Sequence, residues 1–293
     1  MQSKRAATSI GLTAILMWSA LAALTVATGQ VPAFQLAAMT FALGAFAGVM
    51  SWLLRGAAGG RALRQPAHVW LVGAGGLFGY HALYFLALRF APPAEAGLLN
   101  YLWPLLIVLF SAALPGERLA AHHVLGALLG LAGTVVLFAG RGLSAVDWSH
   151  APGFAAAFVA AFVWALYSVL SRRLAAVPTD AVTGFCAATA LLAGLCHLLL
   201  EKTIWPQTLS QWLALVALGI GPVGAAFYTW DIGMKRGDIR VLAAASYATP
   251  LLSTLFLVVA GYAQPSTTLA VAALLIARGG LLGARDMFVR RGV

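Results

Sequence analysis

Long apolar stretches, separated by short charged or Pro/Gly-rich connections, follow one another along the whole chain. A transmembrane helix needs about 20 predominantly apolar residues, and ten stretches of that kind fit between the connections. The predicted spans are 8–27, 34–54, 69–89, 94–113, 121–140, 153–172, 181–200, 211–233, 240–260 and 268–288. The connections leave no room for a soluble domain. The pattern therefore predicts an all-α polytopic membrane protein with ten transmembrane helices.

Composition supports this prediction and excludes other classes. Of the 293 residues, 62% are hydrophobic and 9% are charged, whereas soluble proteins carry about 25% charged residues. Disordered chains are also excluded, because they are poor in hydrophobic residues. Cys186 and Cys196 fall in one predicted helix, a spacing that suits neither a disulfide framework nor a metal site.

The second half of the chain repeats the first at an offset of 146 residues. Trp18 aligns with Trp164, and Tyr-x-x-Pro104-Leu-Leu aligns with Tyr-x-x-Pro250-Leu-Leu. Five spans per half is an odd number, so the second half must enter the membrane from the opposite side. We therefore expect two inverted five-helix repeats, residues 1–146 and 147–293, an architecture of secondary transporters. Because the first span has a counterpart in the sixth, we expect it to be a structural element and not a cleavable leader.

The net charge of +10 reflects membrane topology. With the N-terminus inside, the inner segments hold Lys4, Arg5, Arg55, Arg61, Arg64, Arg118, Arg172, Arg173, Lys235, Arg236, Arg240, Arg285, Arg290 and Arg291. The outer segments hold only Arg89, Arg141 and Lys202, and Arg278 lies within a span. This positive-inside bias predicts cytoplasmic N- and C-termini, and the basicity requires no nucleic-acid partner.

Several motifs together point to a known family. Each half has about 145 residues and five spans, both carry the Tyr-x-x-Pro-Leu-Leu motif, and Leu114-Pro-Gly-Glu117-Arg118 closes the fourth span. These features resemble the EamA-type repeat of the drug/metabolite transporter superfamily, and two such repeats cover essentially the whole chain. Gly79-Tyr-His-Ala-Leu-Tyr84 and Asn100-Tyr-Leu-Trp-Pro104 more narrowly resemble its aromatic and neutral amino-acid exporters. Ala263 and Gln264 replace Glu117 and Arg118 in the second repeat, so that pair is not duplicated.

The resemblance implies a transporter, not an enzyme, that exports aromatic and other sizeable neutral amino acids by alternating access. It also implies that helices 1, 3, 4, 6, 8 and 9 surround the cavity; helix 8 contributes Trp230 to them. Aromatic faces attract an ammonium group, and tyrosine and asparagine supply hydrogen bonds without a fixed charge. The residues expected to bind substrate are Trp18, Tyr80, His81, Tyr84, Asn100, Tyr101, Trp103, Trp164 and Tyr247.

Pro104 and Pro250 lie inside predicted spans at equivalent places in the two halves. Each removes a backbone hydrogen bond, which favours a hinge beside a binding site, although a simple packing kink is an alternative. Gly219-Ile-Gly-Pro-Val-Gly224 matches the G-x-G-x-x-G sequence of dinucleotide-binding folds. It lies inside a long apolar run, however, and lacks the preceding strand that such a fold requires. We interpret it, like Gly44-x-x-x-Gly48 and Gly126-x-x-x-Gly130, as a site of close helix packing, and expect no cofactor or metal.

The energy source is the least constrained part of the function. Proton and sodium sites in membranes usually use Asp or Glu, and none lies centrally, which favours a facilitator driven by the substrate gradient. His81 is the central group that titrates nearest neutrality. The main alternative is therefore a proton-coupled exporter of drugs or other amphipathic metabolites on the same fold. A membrane enzyme and a non-transporting scaffold or receptor are weaker alternatives. The oligomeric state is not predicted.

Overall fold

The structure, a computed structural model, describes residues 3–56, 59–115, 119–139, 147–259 and 264–288. Within these ranges the chain forms helices and no strand, which confirms the all-helical prediction. The helices are α1 (Lys4–Ser19), α2 (Leu21–Ala27), α3 (Ala33–Leu54), α4 (Ala67–Phe90), α5 (Pro93–Asn100), α6 (Trp103–Ser111), α7 (Ala121–Ala139), α8 (Ala151–Arg173), α9 (Ala181–Leu200), α10 (Leu209–Ile220), α11 (Ala226–Arg236), α12 (Ile239–Ser246), α13 (Ala248–Val259), α14 (Thr267–Gly283) and α15 (Arg285–Phe288). Glu117, Arg118, Ala263 and the repeat boundary at 146 lie outside the described residues.

The described helices supply seven stretches that are long and apolar enough to cross a membrane. The pair Ile239–Ser246 and Ala248–Phe256, bent by 41°, makes an eighth if it is one span. Two further apolar helices, Glu95–Ser111 and Thr267–Gly283, fall short of a full span. Every predicted span thus overlaps a helix, and the chain is a multi-pass membrane protein. The count of ten spans stays a prediction.

Large apolar side chains on the outside of the bundle agree with a lipid environment. Leu54 is 83% exposed, Leu199 is 81% exposed and Leu71 is 75% exposed. A water-facing surface rarely carries contiguous apolar patches of this kind. In a bilayer the same side chains contact acyl chains.

The core of the bundle is built by helices from before and after residue 146. The four most extensive pairs are α7 with α14, α4 with α8, α3 with α9, and α1 with α11. Glycine allows the closest of these contacts: a Cβ atom on Gly126 would lie 2.7 Å from the carbonyl oxygen of Gly279. The interpretation of Gly126 as a site of close helix packing is confirmed.

Three long helical stretches are interrupted near their middle. Two residues separate α5 from α6 immediately before Pro104, and one residue separates α12 from α13 three positions before Pro250. The third interruption is a π-helical turn, Gly221–Ala225, that joins α10 to α11. Pro222 within it has no N–H group, which accounts for the break in the regular bonding. The role of the prolines as hinges stays a prediction.

Glu201, which follows α9, caps the N-terminus of α3. Its carboxylate oxygens accept hydrogen bonds from the backbone N–H groups of Phe34 and Gln35, each at 3.0 Å. The His197 ring lies 3.0 Å from the same carboxylate. A negative charge at a helix N-terminus satisfies orphan donors and complements the helix dipole, so this contact ties two halves of the chain together.

We expect Glu201→Ala to lower the free energy of unfolding by about 2 kcal/mol, because two amides lose a charged acceptor. Reversible denaturation of the full chain in mixed micelles measures the change. Lys202→Ala, at the exposed neighbour, is the control and should change stability by less than about 0.5 kcal/mol. Equal effects of the two substitutions would contradict this role for Glu201.

Candidate functional site

Four tryptophans from four helices meet at the centre of the bundle. Trp18 of α1, Trp103 of α6, Trp164 of α8 and Trp230 of α11 form this tryptophan cluster. The ring centroids of Trp18 lie 5.1 Å from Trp230 and 5.6 Å from Trp164. Trp103 lies 5.9 Å from Trp230 and 6.2 Å from Trp164. Such edge-to-face and tilted pairs are favourable beyond their burial, so the cluster holds both halves of the chain together.

Three side chains of α4 extend the cluster on one side. The Tyr80 ring lies 5.1 Å from Trp164 and 6.1 Å from Tyr84, on which it stacks. His81 lies edge-on to Phe41 at 4.9 Å. Its Nδ1 atom is 2.7 Å from the Leu77 carbonyl oxygen; because a carbonyl only accepts, Nδ1 carries the proton and Nε2 is the acceptor of the neutral ring.

The accessible side of this site is the side formed by α1 and α4. Trp103 and Trp164 are 5% and 3% exposed, and Trp230 is fully buried. Trp18, Tyr80, His81 and Tyr84 are only partly buried although aromatic rings surround them. These four side chains are therefore the part of the aromatic site that retains some exposed surface.

One polar atom at the site lacks a partner. The amide of Asn100 donates from Nδ2 to the Tyr80 hydroxyl oxygen at 3.0 Å, but its Oδ1 is buried and accepts no hydrogen bond from the described residues. A buried acceptor in this state is destabilising. By contrast, the indole N–H groups of Trp18 and Trp230 donate to the Pro222 carbonyl and the Ser168 hydroxyl. The Asn100 Oδ1 atom is therefore an acceptor to which a bound ligand could donate a hydrogen bond.

Two further predicted site residues make contacts between the elements of the bundle. The Tyr101 ring lies 6.0 Å from the Phe138 ring of α7. Tyr247 is fully buried, and its hydroxyl oxygen accepts a hydrogen bond from the Leu105 N–H group at 3.2 Å. That N–H belongs to the first turn of α6, which has no helical acceptor after the break. Tyr247 thus caps one half of the chain from the other.

Several polar contacts close the end of the bundle that contains Lys4, Arg172, Lys235 and Asp238, which we name the Lys4 end. Asp231 and Lys235 form a fully buried ion pair of 2.9 Å within α11. Thr179 donates to Asp231 at 2.7 Å and Lys235 donates to the Val177 carbonyl at 2.9 Å. The pair therefore ties α11 to the α8–α9 connection. Arg172 adds hydrogen bonds to the Met234 and Gly237 carbonyls.

Asp238 completes the closure of the Lys4 end. Its carboxylate pairs with Lys4 at 2.8 Å, and its backbone N–H donates to the Thr8 hydroxyl at 2.8 Å. Burial alone would raise the pKa of Asp238, but the Lys4 ion pair and the Arg240 charge hold it below its ordinary value. The carboxylate therefore stays ionised near neutral pH, and the contact between α1 and α12 persists.

His122, His123 and Asp286 form one group of potential metal ligands among the described residues. The two imidazole Nε2 atoms lie 3.2 and 3.3 Å from the carboxylate oxygens of Asp286. However, Nδ1 of His123 accepts a hydrogen bond from the Ala120 N–H group, so the neutral ring carries its proton on Nε2. That N–H donates to Asp286, so the group forms a hydrogen-bonded contact between α7 and α15.

The sequence-based site omitted several side chains that contact it. Trp230 lies on predicted helix 8 but is not among the predicted substrate-binding residues, although the 146-residue offset aligns it with Tyr84. Phe41 and Phe227 stack on each other at 5.4 Å, and Phe227 lies 5.9 Å from Trp164. Phenylalanine is common in any apolar span, so no sequence signal distinguished these two.

Comparisons with known proteins agree with this architecture. Residues 6–139 and 151–283 each match the EamA-like transporter family. The chain is 61% identical over 278 residues to the aromatic amino acid exporter YddG of Ancylobacter novellus, covering 94% of this chain and 96% of the relative. It is 28% identical over 294 residues to the aromatic amino acid exporter YddG of Escherichia coli K12, covering 96% and 97%. A crystal structure of a 59% identical protein superposes with a TM-score of 0.94 over 99% of both chains. The chain therefore belongs to the EamA-like transporter family of the drug/metabolite transporter superfamily.

Proposed function

We propose that this chain exports aromatic and other sizeable neutral amino acids across the bacterial inner membrane. The observation that carries the proposal is the tryptophan cluster, which joins four helices and is accessible beside Tyr80, His81 and Tyr84. A large apolar side chain gains from stacking against such rings. The family and the named relatives are transporters and exporters, so the ligand of this site is a transported molecule and not the substrate of an enzyme.

The polar groups beside the cluster suit the backbone of a free amino acid. Asn100 Oδ1 lacks a donor among the described residues, and a substrate ammonium group would supply one. The Tyr80 hydroxyl already accepts from Asn100, so its own proton is available to a carboxylate. The rings themselves attract the ammonium by about 0.5–2 kcal/mol. A zwitterion with an aromatic side chain uses all three features at once.

The proposed mechanism is alternating access between two inverted five-helix repeats, residues 1–146 and 147–293, in ten spans. Support comes from the family match to each half and from the pairing of helices across residue 146. The basic residues of the inner segments favour cytoplasmic termini, which makes the Lys4 end the cytoplasmic side. With that end closed and Tyr80 and Tyr84 partly accessible, the described conformation corresponds to an outward-facing state.

A facilitator is the proposed mode of transport. The carboxylate nearest the tryptophan cluster in sequence is Asp231, whose charge is neutralised by Lys235 and which also accepts a hydrogen bond from Thr179. Coupled transporters generally use an intramembrane carboxylate that exchanges a proton or binds sodium. The substrate gradient is then sufficient to drive export.

Bacteria that express the chain should tolerate fluorophenylalanine, a toxic aromatic amino acid, at concentrations that arrest cells with an empty vector. Asn100→Leu should abolish most of this tolerance, because the substrate ammonium then loses its acceptor. Gln207→Leu, at an exposed amide, is the control for expression and should keep the tolerance. Tolerance to a cationic dye but not to fluorophenylalanine would instead support an exporter of drugs.

A further inference from the structure

An apolar groove opens on the lipid-facing side of α3. It has a volume of about 620 Å³ and lies between α3 and the end of α10. The α3 residues that line it recur every three or four positions, as one face of a helix requires: Leu43, Phe46, Ala47, Met50, Ser51, Leu54 and Arg55. Val216 and Ile220 form the other wall.

The groove exists because the two helices cross closely at one point and then diverge. At the crossing, a Cβ atom on Gly44 would lie 3.0 Å from the Cα atom of Gly224, and one on Gly219 would lie 2.7 Å from Leu43 Cδ1. The π-helical turn at Gly221–Ala225 then redirects the chain into α11, which packs against α1. Beyond the crossing, the described residues that line the groove as far as Arg55 belong to α3.

A basic side chain, Arg55, lies at the end of the groove. The Arg55 guanidinium is held in place there: Nη2 pairs with Asp180 at 2.7 Å and Nε donates to the Ser51 carbonyl at 3.1 Å. Its Nη1 group has no hydrogen bond among those of the described residues. Arg55 is thus the basic residue among the described residues that line the groove. Arg61 and Arg64, in the connection between α3 and α4, are exposed but do not line it.

We propose that this groove binds an anionic phospholipid, with an acyl chain in the groove and the phosphate on Arg55. A guanidinium fixed by other contacts presents its remaining donors to a phosphate in a defined geometry. The distance from Leu43 to Arg55 along the helix is about 18 Å, which matches one leaflet of a hydrocarbon core about 30 Å thick. The assignment to the inner leaflet rests on the proposed topology, whereas the binding itself does not.

The test is native mass spectrometry of the purified full chain in detergent, titrated with phosphatidylglycerol or with phosphatidylcholine of the same acyl chains. The wild type should bind the anionic lipid at least tenfold more tightly. Ala47→Trp fills the groove and should abolish this preference. Ala42→Trp makes the same change at an exposed position of the same helix and should leave it intact. Thermal unfolding confirms that each variant is folded.

A second set of variants tests whether the positive charge contributes to lipid binding independently of any effect on folding. Arg55→Gln removes the guanidinium and should weaken binding of phosphatidylglycerol several-fold without affecting phosphatidylcholine, whereas Arg61→Gln with Arg64→Gln, at exposed positions outside the groove lining, should change the preference less. Equal binding of the two lipids by the wild type would overturn the proposal, as would unchanged binding by Ala47→Trp. A dimer that Ala47→Trp dissociates would also overturn it, because a second copy would then occupy the groove. None of these results depends on transport activity.

Discussion

Replacing Trp164 by leucine is expected to reduce export of aromatic amino acids at least about tenfold, which corresponds to about 1.4 kcal/mol. The Trp164 ring contacts Tyr80, Trp103 and Trp230, at 5.1, 6.2 and 6.3 Å. Each aromatic pair contributes about 0.5–1.5 kcal/mol beyond burial. Leucine keeps the position apolar but offers no ring to a substrate. Efflux of phenylalanine from preloaded cells measures the loss.

The control for this substitution is Trp52→Leu. Trp52 is also buried, at 8% exposure, but it packs on Gly59 near the end of α3 and not on the tryptophan cluster. Both variants lose a large side chain, so both should be destabilised to a similar extent. Export that falls equally in the two variants would show that Trp164 acts only through stability.

The second large effect is expected at the buried ion pair of the Lys4 end. Lys235→Met leaves the Asp231 carboxylate buried without its cation, although Thr179 still donates to it, and should lower the free energy of unfolding by about 3–5 kcal/mol. The double variant Asp231→Leu with Lys235→Met removes both charges and should recover most of that loss. Reversible denaturation in mixed micelles measures both values. Equal stability of the single and double variants would contradict the assignment of a buried pair.

The double variant should also open the Lys4 end more often, because the ties to Val177 and Thr179 are lost. Ser168, which is fully buried and accepts a hydrogen bond from Trp230, reports this opening when it is replaced by cysteine in a chain without Cys186 and Cys196. An impermeant maleimide added from the cytoplasmic side should label Ser168→Cys faster in the double variant. Unchanged labelling would mean that the pair stabilises the fold without closing the path.

The sequence predicted the helices well because membrane spans must be long and apolar. It located the tryptophan cluster in part because Trp18 and Trp164 are equivalent in the two repeats, and rare residues at equivalent positions are informative. Trp230 was omitted from the site although it is equivalent to Tyr84, a match that joins two different residue types. Alignment of aromatic positions, rather than of identical residues, would have included it.

Pro104 and Pro250 indicate two of the helix breaks from the sequence, but the orientation of individual side chains cannot be predicted from it. In a membrane, both the lipid-facing and the core-facing sides of a helix are apolar, so hydrophobic periodicity does not identify the buried face. Tyr101 packs against Phe138 and Tyr247 caps α6, contacts that periodicity could not predict; a role of either residue in binding substrate stays a prediction. Similarly, His123 adjoins a connection in sequence but is 2% exposed, because Asp286 returns from the last helix to meet it.

The most direct test of the account is exchange of labelled phenylalanine by the purified chain in liposomes without any ion gradient, compared with Trp164→Leu. We expect saturable exchange by the wild type, competition by unlabelled tryptophan and tyrosine, and at least tenfold slower exchange by the variant. Exchange that requires an imposed proton gradient would contradict the facilitator mechanism. Exchange of the same rate in Trp164→Leu would contradict the central claim that the substrate passes against the tryptophan cluster.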